Sequence, residues 1–231
     1  MTTEPAPAPA LVADGLTKTY DGLVALAPLD LEVGVGASVA LIGHNGSGKS
    51  TFLRMAAGLL EPTGGDLEIA GFDVSDIDAR ATTSYLPDEP VLYDDLSLRE
   101  HVEYISRLHG GEGWDAYARD LCDRLGLGPR VDDLPVRFSR GLRQKTSIVL
   151  ALVRPFSLLL VDEPFVGLDV PGKAVLLELL AEVHDDGAAT LVATHDPAYV
   201  DLVDRSIALR DGEVVFDGRA QVDQVLTLVG G

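Results

Sequence analysis

A chain of 231 residues, 46% of them hydrophobic, is long enough to bury a large core and fits one sizeable domain or one domain with a subdomain. Its 37 acidic against 18 basic residues leave a formal charge of -19, which disfavours broad contact with nucleic-acid phosphates or an anionic bilayer surface. One cysteine, Cys122, excludes an intramolecular disulfide, and no Cys/His cluster has the spacing of zinc ligands. Residues 1–10 alternate Pro and Ala and lack the basic start and apolar block of a secretory signal, so they read as an extended, disordered leader. Leu11 to Leu31 reads as short strands and turns with Asp21-Gly22 as a hairpin signal, and Ser38 to Ile42 as a short apolar strand. Apolar spacing from Phe52 to Leu60 predicts a helix over Ser50 to Leu60, stopped by Pro62 and Gly64-Gly65. Between Val91 and Leu152 the composition turns helical and charged, with helices expected at Leu98 to His109, Ala116 to Leu125 and Gly141 to Val153. This stretch, about 91–152, reads as a helical subdomain.

From Phe156 onward short apolar strands alternate with helices: strand Leu158 to Val161, helix Lys173 to His184, strand Ala189 to Ala193, helix Ala198 to Val203, then a hairpin around Asp211-Gly212. Such alternation predicts a mostly parallel sheet with helices on both faces. The longest apolar stretches are cut by Arg154 and Asp162, well short of the roughly 20 residues that a membrane helix needs. Any membrane role is therefore expected to come through a partner.

Gly43-His44-Asn45-Gly46-Ser47-Gly48-Lys49-Ser50 fits G-x-x-x-x-G-K-[ST] and lies between the predicted strand and helix. Gly43, Gly46 and Gly48 permit the backbone angles that turn successive N–H groups toward a phosphate, and the helix that follows adds its partially positive N-terminus. Lys49 would reach the terminal phosphates, and Ser50, followed by Thr51, would offer its hydroxyl to the accompanying Mg2+. With no second copy of this loop, one nucleotide-binding unit is expected.

Phe156 to Val161 ends abruptly in Asp162 and Glu163, which delivers two carboxylates to the sheet edge where open parallel sheets bind ligands. Asp162 would hold Mg2+, mainly through water, and Glu163 would polarise the attacking water as general base. His195 follows another apolar strand and would reach the same edge, as a hydrogen-bond donor to the terminal phosphate.

Taken together, these segments resemble the nucleotide-binding domain of ABC transporters from about Leu11 to residue 231. The distinguishing stretch is Phe138-Ser139-Arg140-Gly141-Leu142-Arg143-Gln144-Lys145, similar to that family's Leu-Ser-Gly-Gly-Gln signature with its following basic residues. Ser139 is a good N-cap, so its hydroxyl and the helix behind it make a second anion site. The resemblance implies that Ser139, Arg140 and Gly141 contact the terminal phosphate of ATP held by another protomer. It also implies that Tyr20 stacks on adenine, although as a bare residue Tyr20 reads equally well as a core tyrosine. Asp169, in Phe165-Val166-Gly167-Leu168-Asp169, would help to join the two protomers, and His195 matches the switch histidine.

The fold expected from the resemblance is α/β: a P-loop NTPase (RecA-like) core with a mostly parallel sheet, an N-terminal antiparallel β subdomain and an α-helical subdomain. The implied partners are ATP with Mg2+, a second ATP-binding subunit, identical or homologous, and a polytopic membrane permease, with no nucleic acid. The chain would then lie on the cytoplasmic side, peripheral on the inner face of the cell membrane, and energise transport. Tyr85 to Tyr93 resembles exporter-type ATPases that pair with separate permeases. A soluble ABC ATPase that remodels a protein or cofactor-assembly complex is the alternative, and a nucleotide sensor with little catalysis is a third.

The chain departs from the family pattern at two places. Asp88 stands where glutamine is usual, and its shorter, anionic side chain suits the metal, directly or through a bridging water. Arg140 and Leu142 replace Gly and Gln. Six basic residues from Arg130 to Arg154 face only Asp132 and Asp133 within that stretch. They read either as a surface for phosphate or the dimer seam, or as a solvated helix face matched to nearby acids.

Overall fold

The computed structural model describes residues 8–110 and 114–219; the expected leader lies outside them up to residue 7, and the chain from residue 220 does as well. In chain order the elements are β1 (Leu11–Tyr20), β2 (Leu23–Val33), β3 (Ser38–Ile42), α1 (Lys49–Ala56), β4 (Gly64–Ile69), β5 (Phe72–Asp73), α2 (Ile77–Thr82) and β6 (Thr83–Leu86). Three helices follow, α3 (Leu98–Leu108), α4 (Trp114–Arg124) and α5 (Arg140–Leu152), and then β7 (Leu158–Asp162), α6 (Val170–Asp185), β8 (Ala189–Thr194), α7 (Pro197–Val200), β9 (Arg205–Arg210) and β10 (Glu213–Gly218).

Two sheets form. An antiparallel sheet has the order β2-β1-β4-β5, and a six-stranded sheet has the order β10-β9-β3-β8-β7-β6, parallel except at its β9–β10 edge pair. Inner strands β3 and β7 of the larger sheet are apolar on both faces, and alternate residues enter different cores. Val39 and Leu41 of β3, and Leu158 and Leu160 of β7, pack with α1 and the antiparallel sheet. Ala40, Ile42, Leu159 and Val161 pack with α3 to α6. That is the expected pattern for a parallel sheet covered on both sides.

Asp21 and Gly22, at φ 47° and 85°, make the tight turn between β1 and β2. The predicted helix over Ser50 to Leu60 is shorter than expected, because Gly58 at φ 67° ends it after Ala56. Gly58 N–H donates to Met55 O and Leu59 N–H to Arg54 O, a Schellman pair that leaves Leu59 exposed and outside the helix. The predicted helix Ala198 to Val203 is a single turn, Pro197–Val200. The elements β4, β5, α2 and β6 had no sequence expectation. β4 adds to the antiparallel sheet against β1, and β6 forms the far edge of the parallel sheet. No helix among the described residues is long and apolar enough to cross a membrane.

Candidate active site

β3 is an inner strand of the parallel sheet, between β9 and β8, and the loop leaving its carboxyl end wraps onto the start of α1. Gly43 touches the strand edge so closely that a Cβ there would collide with Leu209 O and the Ser47 hydroxyl. Gly48 has φ 105°, and a Cβ on it would lie 2.9 Å from Ala25 O. Ser47 is tied into the fold from both sides, its N–H donating to His44 O and its carbonyl accepting from Gly212 N–H. Gly48 is the N-cap of α1 and supplies no side-chain cap, so the N–H groups of the first turn stay open to an anion. Asn45 and Gly46 are exposed at the rim, while His44 is half-buried with Nε2 3.6 Å from Asp211.

Lys49 is buried, and its ammonium donates to Gly43 O at 2.7 Å and His44 O at 3.2 Å. It also lies 3.5 Å from Glu163 Oε1. Ser50 Oγ donates to Asp162 Oδ1 at 3.1 Å, and Thr51 follows, partly buried, in the same helical turn.

Asp162 ends β7 and is almost fully buried. Burial pushes its carboxyl above the usual carboxylate range; Ser50 and Lys49 oppose that shift, and the Asp88 and Glu163 charges add to it. Glu163 then turns out of the strand at φ 44°, a left-handed conformation uncommon for a residue other than glycine and unusual directly before a proline. Its N–H still donates to Ala193 O, so the sheet ladder itself holds the strained residue. The turn aims Glu163 Oε2 at His195, whose Nδ1 lies 2.8 Å away and whose backbone N–H lies 3.3 Å away. A carboxylate only accepts, so Nδ1 carries the proton. Glu163 Oε1 is buried without a hydrogen bond, facing only the Lys49 ammonium.

Asp88 is half-buried two residues beyond β6, whose Leu86 is in register with Val161 of β7, so it follows the strand edge beside Asp162. Its neighbour Tyr85 has a phenol that burial and the Asp162 carboxylate push up to about 12. The oxygen donors of Ser50 and Asp162 suit Mg2+, which favours one or two carboxylates completed by water and phosphate oxygens over an all-protein cage. Among the described residues no group of three His, Cys, Asp or Glu could hold a metal ion.

Tyr20 is 45% exposed at the end of β1, which removes the core-tyrosine reading; Lys18 Nζ lies 5.2 Å from its ring centre on one face. Ser139 caps α5 as expected, accepting from Leu142 N–H at 3.3 Å. The described contacts of Arg140 and Gly141 run to the loop after Glu163, not to residues 43–51. Of the six basic residues noted from Arg130 to Arg154, Arg130, Arg143 and Lys145 pair with acids Asp133, Asp94 and Asp169. Sequence reasoning missed the Lys145–Asp169 pair, since the two residues lie on different elements and nothing in their spacing signals contact.

A glycine loop that ends in a buried lysine, uncapped at its helix and faced by two consecutive carboxylates at the end of one strand, defines a P-loop nucleoside triphosphatase. The sequence profile of the family described as "ABC transporter" matches residues 26–166. The chain is 33% identical over 210 residues to the SkfA peptide export ATP-binding protein SkfE of Bacillus subtilis (strain 168), covering 87% of this chain and 86% of that protein. A solved "ATP binding subunit of ABC transporter" superimposes with a TM-score of 0.89 at 31% identity, over 94% of this chain and 98% of that one. The ATP-binding cassette MJ0796, solved as a dimer in a post-hydrolysis state bound to ADP and Pi, gives a TM-score of 0.83 at 26% identity, over 90% and 98%. The chain therefore belongs to the ABC transporter family, as an ATP-binding subunit, and it is an ATPase.

Proposed function

We propose that this chain pairs head to tail with a second ATP-binding subunit, sandwiching two ATP molecules, and that the closing and opening of the pair drives a membrane permease that exports its cargo. Residues 43–51 would cradle the phosphates in one protomer while Ser139, Arg140 and Gly141 of the other complete the site. Tyr20 would stack on adenine with the ring face that Lys18 leaves open. Ser50 and Asp162, with Asp88 beside them, would hold Mg2+, which stabilises the negative charge on the transferring phosphoryl group.

The observation that carries this reading is Glu163, held by a strained backbone between His195 and Lys49 with one carboxylate oxygen that accepts no hydrogen bond. Once Lys49 moves to the phosphates, that oxygen would accept a proton from a water attacking the terminal phosphate. Lys49 would leave its carbonyl partners for the phosphates. His195 already gives its Nδ1 proton to Glu163, so it can donate to a phosphate from Nε2 only as an imidazolium. A neutral ring that turns to the phosphate instead releases Glu163.

A cleft of about 770 Å³ supports the permease partner. It opens beside Asp88, between Pro87 and Glu89 of the loop after β6 and Ile105 and Leu150 of the helices. Arg54, Arg80 and Arg154 line it, a local cationic patch in a chain of charge -19 that suits a permease loop carrying carboxylates. Export is supported by the similarity to a peptide-export ATP-binding protein. The chain would thus lie at the inner face of the membrane.

Glu163→Gln tests the assignment: turnover should fall by roughly 10²–10⁴-fold, with an ATP-bound dimer accumulating in sedimentation. Hydrolysis that stays near the parent rate would remove Glu163 as the base.

A further inference from the structure

The signature helix and the loop that leaves the catalytic carboxylates touch at four places along one side of α5. Gly141 approaches residue 167 so closely that a Cβ would lie 2.8 Å from Gly167 O. The stem of Arg140 covers Gly167, itself at φ 83°. Gln144, buried, donates to Pro164 O at 3.4 Å. Lys145, with its side chain 15% exposed, places its ammonium 2.9 Å from Asp169 Oδ1. The same oxygen accepts from Gly172 N–H at 3.1 Å and so caps α6, and a Cβ on Gly172 would lie 2.9 Å from Lys145 Cε. Lys145 is therefore wedged between two elements, and its charge lands on a carboxylate whose other task is to start a helix.

These contacts have a directional meaning. The loop 164–169 begins at the residue after Glu163, the base for the ATP held by its own chain. Ser139 to Gly141, at the start of α5, are the residues read as meeting the ATP of the other protomer. We propose that Lys145 is a positioning residue for the ATPase reaction: its ion pair with Asp169 locks the signature turn and the post-Glu163 loop into one unit, so that each ATP site sets the geometry of the other. This inference rests on the head-to-tail reading above.

The backbone contact of Gly141 with Gly167 O offers at most a weak Cα–H···O interaction, which holds position poorly. Gln144 adds one long hydrogen bond. The Lys145–Asp169 pair is the short, charge-assisted tie of the group; the Lys145 stem is largely covered, which fixes its direction, while Asp169 stays open to water. Without it, Asp169 keeps its capping bond and α6 stays formed, while α5 is free to shift against the loop.

Three full-length variants test this: Lys145→Met, which keeps the stem and removes the charge, Lys145→Arg, which keeps the charge, and Asp169→Asn, which keeps a cap acceptor. Steady-state hydrolysis is followed against ATP concentration, and binding of a fluorescent ATP analogue to dilute monomer is measured beside it. The expected result for Lys145→Met is a Hill coefficient that drops from a value approaching the two sites toward one, with kcat lowered and monomer affinity within about twofold of the parent. Asp169→Asn should reproduce this, the double variant should add nothing further, and Lys145→Arg should restore cooperativity. Unchanged cooperativity in both single-charge variants overturns the proposal. A parallel loss of monomer affinity and helical circular dichroism in Asp169→Asn overturns it too, since the pair is then scaffold. Should the parent itself show no cooperativity and Glu163→Gln no ATP-bound dimer, the head-to-tail reading falls, and the proposal falls with it.

Discussion

Glu163 and Gly48 show how single positions bear the geometry of the site. An Asp-Glu pair after an apolar run is plain in the sequence, yet Glu163 precedes Pro164, a context that favours extended backbone. Its left-handed turn exists because Ala193 O and His195 hold it in place, and those residues are about thirty positions away. Gly48, by contrast, is legible: a glycine was expected wherever the loop must turn N–H groups inward. The structure adds a second reason, the contact with Ala25 O from β2. Gly48→Ala therefore meets both a disfavoured φ and a close carbonyl and should cost about 1–3 kcal/mol. Gly46 has φ 86° with open space around its Cβ position, so Gly46→Ala should cost less. Urea midpoints for the two variants decide this, and a Gly46→Ala loss equal to that of Gly48→Ala would show that crowding at Ala25 has no effect.

At the scale of elements, helices with strong end signals matched their sequence reading best. Ser97 and Glu100 form a complete capping box, with Ser97 N–H donating to Glu100 at 2.7 Å, and α3 begins at Leu98 as expected. The short apolar strands β3, β7 and β8 were also read to within a residue, and the elements between β3 and α3 that lack an apolar run were not. The run from Gly64 to Leu86 holds β4, β5, α2 and β6, none longer than six residues, and its charged and glycine-rich pattern gives no clear period. Those elements are fixed by pairing with β1 and β7, which is information held elsewhere in the chain. The start of α6 yields a pH prediction. The Lys145 ammonium, helped by Gly172 N–H, holds the Asp169 carboxyl below the usual carboxylate range. A carboxyl lowered on folding adds stability that is present above its unfolded value of about 3.9 and is lost as pH falls through the lower folded value. The stability gap between the parent and Lys145→Met should therefore be full near neutral pH and should close in acid. Denaturant midpoints across pH check it, and a gap independent of pH would deny the ion pair any part in folding.

For the whole molecule, the sheet separates two cores and delivers the ends of β3, β7 and β8 to one edge, so the residues proposed to close on nucleotide, such as Ser50 and Asp162, come from segments more than a hundred positions apart. Ligand that binds only this assembled edge must stabilise the fold by mass action. With the hydrolysis-deficient Glu163→Gln chain, ATP at about 100 times its dissociation constant should add about 2.7 kcal/mol to unfolding. A melting temperature that does not move with ATP would mean that the edge does not bind it in the folded state. The sequence by itself determined the phosphate loop, the carboxylate pair, the capped signature helix and the alternation of strand and helix, because each depends on neighbours a few residues away and on backbone rules that act locally. Only the tertiary structure decided that Tyr20 is exposed, that Glu163 faces Lys49 and His195, and that Lys145 binds Asp169. Those facts depend on which strands lie side by side and how helices pack across them, and no spacing along the chain encodes a distance across the fold.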